Sequence, residues 1–252
     1  MSDLFDVGGK VAVVTGGTSG IGRMIARGFA EAGATVYVSS RKADAVAETA
    51  AELGVTGIAA DLSTEAECLR LASEVGGREQ RVDVLVNNAG ATWGAPLEDF
   101  PAAAWDKVLD LNVKSPFFLT RAFLPLLEAG ATEDDPSRVI NIGSIDGLRV
   151  PELPNYSYSA SKAAVHQLTR VLARDLGPRR ITVNAIAPGP FPSKMMRATL
   201  EAAGDEIAAE SPLGRIGRPD DVIGASRFLA SRAGSYVTGA VIPVDGGMWT
   251  TR

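Results

Sequence analysis

With one cysteine and one histidine in 252 residues, the chain lacks the materials for several kinds of chemistry. Cys68 has no partner for an internal disulfide, which suits a reducing compartment, and its helical surroundings mark it as a small core residue. His166 has no Cys/His cluster to join, so no metal site is expected. Basic residues are not in excess. Against 30 Asp and Glu stand 25 Lys and Arg, a formal net charge of −5, which gives no support to nucleic acid as a partner. Aromatics are 6% of the chain, and Trp93, Trp105 and Trp249 read as packing residues rather than a base-stacking surface, with Trp93 a candidate pocket wall. No apolar run approaches the ~18 residues that span a bilayer, and residues 1–6 lack the charged-then-apolar order of a secretion signal. No membrane association is expected, and the expected location is the cytoplasm.

What is present is a large core and a regular rhythm. Hydrophobic residues make up 46% and charged residues 22%. Apolar β-rich runs at 10–15, 35–39, 55–60, 82–87, 138–142, 181–186 and 240–244 alternate with helical patterns at 21–32, 43–53, 64–75, 102–127 and 157–176. Runs such as Val11-Ala12-Val13-Val14 are nearly continuous, as strands are when helices cover both sheet faces. The expected fold is α/β: a Rossmann-type doubly wound parallel sheet with helices on both faces, one domain over 1–252. Ligands of such a sheet bind outside the carboxyl ends of its strands. The acidic stretch 130–136 reads as a solvated loop. Segment 190–221 breaks the rhythm at the ligand edge and reads as a substrate lid or an ordinary surface excursion; Met195 and Met196 either meet an apolar substrate there or pack within it.

The first strand runs into Thr15-Gly16-Gly17-Thr18-Ser19-Gly20-Ile21-Gly22 and then a helix. Glycines let the backbone turn tightly and approach a pyrophosphate, and the helix start offers free N–H groups and a partial positive charge. The second strand ends at Ser39-Ser40-Arg41, where a cofactor with a free ribose 2′-hydroxyl usually meets an acidic residue. Ser40 cannot repel a phosphate and Arg41 can clamp one, so NADP(H) is favoured over NAD(H). At the end of the third strand, Asp61 and Leu62 lie where an adenine ring would sit; Asp61 either accepts from the adenine amino group or caps the next helix.

Tyr158 and Lys162 are four residues apart in a helical pattern, so they share a face, whereas Tyr156 projects from another side. A nearby ammonium favours the phenolate; lowering a tyrosine from ~10 toward ~7 takes roughly 3 units, about 4 kcal/mol. Ser144 lies outside any G-x-S-x-G pattern, which argues against a serine hydrolase. His166 is one turn beyond Lys162 and reads as a helix-face or subunit-contact residue, or as a proton relay.

Together these residues resemble the short-chain dehydrogenase/reductase family over nearly the whole chain. Thr15–Gly22 is similar to its TGxxxGxG turn, and Asn87-Asn88-Ala89-Gly90 to its NNAG element along the cofactor. Asn112, Ser144, Tyr158 and Lys162 match its catalytic tetrad in order and approximate spacing. Pro188-Gly189 with Ser193 resembles the PGxxxT segment beside the nicotinamide, with Ser in place of Thr, and Phe191 falls where a backbone group meets the carboxamide. The resemblance implies that Tyr158 is the proton donor for carbonyl reduction and the base for the reverse reaction, and that Ser144 stabilises charge on the carbonyl oxygen. Lys162 would lower the Tyr158 pKa and, like Tyr158, contact the cofactor, and Asn112 would hold a water linking Lys162 to solvent. Pro116 supports that last role, since it has no N–H to bond the Asn112 carbonyl; it also serves simply to kink the helix.

The stretches 87–94, 138–144 and 186–193 look closest to 3-oxoacyl reductases of the rhamnolipid-biosynthesis type. The expected activity is NADPH-dependent reduction of a ketone, with a 3-oxoacyl thioester favoured. The alternatives are an NAD(P)-dependent dehydrogenase of a sugar or other secondary alcohol and a non-catalytic nucleotide-sensing protein; the complete Ser144, Tyr158 and Lys162 set argues against the last. A homotetramer is expected by resemblance. An acyl-carrier partner would need a basic patch, to which Arg149 or Arg197 would contribute.

Overall fold

The computed structural model describes residues 4–194 and 196–251, so Met195 of the expected lid lies outside the described residues. In chain order the elements are β1 (Val11–Thr15), α1 (Gly20–Glu31), β2 (Thr35–Ser40), α2 (Ala43–Leu53), β3 (Thr56–Ala59), α3 (Glu65–Gly76) and β4 (Val84–Asn87). Then follow α4 (Ala102–Leu109), α5 (Ser115–Gly130), β5 (Ser137–Ile142), α6 (Tyr156–Leu176), β6 (Ile181–Pro188), α7 (Arg197–Glu210), α8 (Pro219–Ala230) and β7 (Val241–Val244). The strands form one sheet in the order β3-β2-β1-β4-β5-β6-β7, and every pairing is parallel. This is the expected doubly wound α/β architecture.

Alternation along each strand sends neighbouring residues to opposite faces. Val13, Leu85, Val139 and Val183 pack with Leu71, Leu119, Phe123 and Leu127 on one face. Val14, Val86, Ile140 and Ile186 meet Ile25, Phe29, Val222 and Leu229 on the other. Each such side chain contributes about 1.5–3 kcal/mol through burial. Cys68 belongs to the first of these clusters and is a core residue. Among the described residues, no helix is long and apolar enough to cross a membrane.

Two expectations need correction. The helix expected over 102–127 is divided: a π turn, Asp110–Lys114, separates α4 from α5. Pro116 near the start of α5 has no N–H, and its ring crowds the carbonyl four residues back, so one extra residue enters the turn and Ser115 N donates to Asp110 O. The stretch 130–136 is not wholly solvated either. Asp135 accepts from Arg138 Nη2 at 2.7 Å and pairs with Lys10, while Arg138, 1% exposed, also donates to Leu229 O and Ser231 O behind α8. Thr132, Glu133 and Asp134 stay exposed.

Candidate active site

β1 and β4 are neighbours, but the chain leaves them toward opposite edges of the sheet, which opens a crevice at their carboxyl ends. Thr15 ties its walls together. Its hydroxyl donates to Val86 O (3.2 Å) and accepts from Asn88 N (3.0 Å) and Ala89 N (3.1 Å). The Asn88 amide donates to Thr15 O (2.8 Å) and Gly16 O (3.2 Å), so the 87–90 stretch steadies the glycine turn. Gly16 and Gly20 have φ of +64° and +53°, a region other residues enter at a cost. A Cβ on Gly22 would overlap the Asn88 amide. Ser19 makes no side-chain cap and the first turn of α1 has no acidic residue, so its N–H groups face outward uncapped, beside Thr18 and Ile21. Uncapped donors, a positive helix end and missing side chains fit a dinucleotide pyrophosphate.

Gly17 N donates to Ser39 O at 3.2 Å, which sets the end of β2 beside this turn. Ser40 is half-buried there; Arg41 is exposed and has no ion pair among the described residues. Asp61 is not the helix cap: Thr64 accepts from Glu67 N at the start of α3, and among the described residues the Asp61 carboxylate accepts only from Ser63 N, two residues on. Leu62 is buried in the core, so its backbone rather than its side chain borders the crevice. On the far side, Gly189 N donates to Val244 O (3.0 Å), and the Phe191 ring is buried against Gly217. Ser193 closes over the turn: a Cβ on Gly20 would lie 3.0 Å from Ser193 Cβ.

The four expected catalytic residues converge from three elements. Asn112, in the π turn, accepts from Ala91 N (2.8 Å) and donates to Ala91 O (2.9 Å) and Ser161 Oγ (2.9 Å). It thereby fixes the loop after β4 to α6, three residues from Tyr158 by its Ser161 bond and next to Gly90. Ser144, two residues beyond β5, is 7% exposed, and its hydroxyl accepts from Asp146 N at 3.1 Å and acts to lower the pKa of the Tyr158 phenol. Lys162 Nζ donates to Ile142 O at 2.8 Å and lies 5.5 Å from the Tyr158 ring centroid.

The expected direction of the Tyr158 shift is corrected here. The phenol is pushed up to about 12, chiefly by burial, against a lowering bond from Ser144 and with the nearby Asp146 charge adding to the rise. Burial likewise brings Lys162 down to about 8. Both charged forms lose water in the same enclosure, and Lys162 is turned onto a backbone carbonyl, so desolvation outweighs its attraction for a phenolate. Tyr158 is a protonated donor at neutral pH.

His166 is neither on the surface nor a subunit contact: it is 2% exposed, wedged against Gly143 and Gly147 on either side of Ser144. Its pKa is pushed down to about 4, first by burial and then by the charges of Lys162 and Arg170. Between about pH 6.5 and 4 the unfolded chain therefore binds a proton that the folded protein does not, and stability falls as pH falls. The loss amounts to roughly 3 kcal/mol at pH 4. His166→Gln cannot charge, so urea unfolding is expected to show wild type losing about 2–3 kcal/mol against it between pH 7 and 4.5. A difference that stays constant with pH would contradict the burial of a neutral ring.

The family model described as Enoyl-(Acyl carrier protein) reductase matches residues 16–249. The rhamnolipids biosynthesis 3-oxoacyl-[acyl-carrier-protein] reductase of Pseudomonas aeruginosa is 48% identical over 253 residues, covering 98% of this chain and 99% of that one. The chain belongs to the short-chain dehydrogenase/reductase family. A structure of the Pseudomonas aeruginosa RhlG/NADP active-site complex superposes with a TM-score of 0.95 at 48% identity, covering 98% of this chain and 99% of that one. The galactitol 2-dehydrogenase (L-tagatose-forming) of Cereibacter sphaeroides is also similar, 39% identical over 252 residues, covering 97% of this chain and 96% of that one.

Within this short-chain oxidoreductase, sequence reading missed Thr15 as a strap, Ser161 as the partner of Asn112, and the pair Asp146 and Asn155. Asn155 Nδ2 donates to Asp146 Oδ2 (3.2 Å) and Asn155 Oδ1 accepts from Ser159 (2.7 Å). An Asn directly before a helix is a local signal, but its partner nine residues back is not. Among the described residues no group of His, Cys, Asp or Glu is placed to hold a metal ion.

Proposed function

We propose that this protein reduces a ketone to a secondary alcohol with NADPH, and that a 3-oxoacyl thioester is the favoured substrate. The observation that carries the reading is the convergence of Tyr158 and Lys162, 5.5 Å from ring centroid to Nζ, with Asn112 beside Gly90 on the loop that is strapped to the glycine turn. Ser144 donates to the carbonyl oxygen and stabilises charge developing on it. Tyr158 gives that oxygen its proton, and the buried Lys162 ammonium stabilises the phenolate left behind. A bound NADPH supplies the hydride to the carbonyl carbon. Ser40 and Arg41 would hold its 2′-phosphate, and the likeness to a structure solved with NADP supports that choice.

The similarity to a 3-oxoacyl reductase supports the thioester, and the similarity to galactitol 2-dehydrogenase is the specific reason to keep a second reading, oxidation of a sugar or other secondary alcohol. The family model's description adds a third outcome for the test, reduction of an enoyl double bond. Initial rates with NADPH and NADH on 3-oxoacyl thioesters, 2-enoyl thioesters, sugars and cyclic ketones separate these. The expected result is fastest NADPH oxidation with the 3-oxoacyl thioesters; preference for an enoyl thioester or a sugar would replace the reading.

The same reading includes a lid, a homotetramer and a cytoplasmic location. Helix α7 spans the middle of 190–221, is kinked at Ala203 and buries no residue fully, which suits a segment that moves. Trp105, Phe117 and Val171 on α4, α5 and α6 are exposed, which suits the packing of these helices between subunits. The unpaired, buried Cys68 suits a reducing cytoplasm. An acyl carrier would dock through acidic groups; Arg197 is exposed to meet them, whereas Arg149 is paired with Glu210 at 3.8 Å.

A further inference from the structure

Asp146 lies two residues after Ser144, in the short 3₁₀ turn Ile145–Gly147. Its N–H donates to Ser144 Oγ at 3.1 Å, so its carboxyl is carried by the same turn as the hydroxyl that serves the reacting carbonyl. Oδ2 accepts from Asn155 Nδ2 at 3.2 Å, and Asn155 directly precedes the helix that bears Tyr158. Asp146 is thus pinned between the two groups that flank a substrate oxygen. Its other oxygen, Oδ1, has no hydrogen-bond partner among the described residues, and the residue is only half-buried.

Among the described residues no cation forms an ion pair with this carboxylate. Lys162 points its ammonium at Ile142 O, and Arg149 is drawn to Glu210 at the end of α7. Burial raises the Asp146 pKa above the usual carboxylate value, and the Asn155 amide and the more distant Arg149 oppose that rise. The field reaches the site, since Tyr158 feels the Asp146 charge directly. Nothing in the proton transfer above requires an anion there.

The geometry points to Asp146 as a specificity-determining residue that excludes negatively charged substrates, so that neutral 3-oxo esters and thioesters are taken and the matching free acids are rejected. This rests on the ketone-reduction reading and narrows it to esterified acyl groups. Two carboxylates ~6 Å apart in a partly enclosed site repel strongly enough to change affinity on the order of 10²-fold. A neutral ester feels no such force.

The test compares NADPH oxidation with a 3-oxo ester and with the corresponding 3-oxo carboxylate, for wild type, Asp146→Asn and Asp146→Glu. Wild type is expected to show an acid-to-ester ratio of kcat/KM near ~10⁻². Asp146→Asn is expected to raise that ratio about 30- to 100-fold, and Asp146→Glu to leave it low. A merely structural role would move both substrates together and leave the ratio alone, and an unchanged ratio in Asp146→Asn overturns the inference. So does a wild type that takes acid and ester equally. Failure of the ketone-reduction reading looks different, since wild type would then oxidise no NADPH with the ester. Calorimetric binding of the 3-hydroxy acid and its methyl ester to the NADP⁺-loaded protein then decides the inference by itself. Asp146→Asn must gain affinity for the acid and not for the ester, and an equal change in both overturns it.

Discussion

Tyr158→Phe is expected to lower kcat with a 3-oxo ester by about 10³- to 10⁴-fold while NADPH affinity changes less than ~3-fold. In the proposed reaction the phenol gives the carbonyl oxygen its proton, and Ser144 alone can only polarise that oxygen. The dinucleotide cradle, by contrast, is built from Gly16, Gly20, Gly22 and the uncapped start of α1, none of which depends on the Tyr158 hydroxyl. The ring stays, so packing is kept. Stopped-flow turnover and a nucleotide fluorescence titration on the same preparation check both halves. Turnover at the wild-type rate would remove Tyr158 from the chemistry, and a lost fluorescence signal would move it into cofactor binding.

Arg41→Asp is expected to lower kcat/KM for NADPH on the order of 10³-fold and to change that for NADH by only a few-fold. Charge-assisted bonds to a phosphate contribute about 1.5–3 kcal/mol, and a carboxylate in their place adds repulsion. The same carboxylate can accept from the ribose hydroxyls of NADH, which offsets part of any general damage. Arg41 is exposed and has no ion pair, so its loss leaves no buried charge behind. Steady-state kinetics with the two cofactors settle the matter, and an equal loss with both would end the argument for a 2′-phosphate at this strand end.

The central geometry was legible because it is local. The Tyr158 and Lys162 side chains share a helix face by spacing alone, and the glycine turn between β1 and α1 is a contiguous stretch. Other features were not legible. The π turn that holds Asn112 follows from Pro116 meeting the helix ladder, and a continuous apolar pattern over 102–127 conceals it. His166 looked like a surface residue because its neighbours along the helix include Gln167 and Arg170, whereas the glycines that admit its ring lie about twenty residues earlier. Asp135 looked solvated within an acidic run, until Arg138 and Lys10 folded against it.

By itself the chain determined the alternation of strands and helices, the glycine turn, the cationic residue after β2 and the order of the four candidate catalytic side chains. Each of these depends on periodicity or spacing over a few residues, where covalent geometry does most of the ordering. Tertiary structure alone decided that Asn112 straps Ala91 to Ser161, that Asp146 is tied to Ser144, and that burial raises the Tyr158 pKa rather than lowering it. Those outcomes turn on which segments exclude water from one another, and desolvation is a property of the assembled enclosure, to which no single stretch of chain is sufficient.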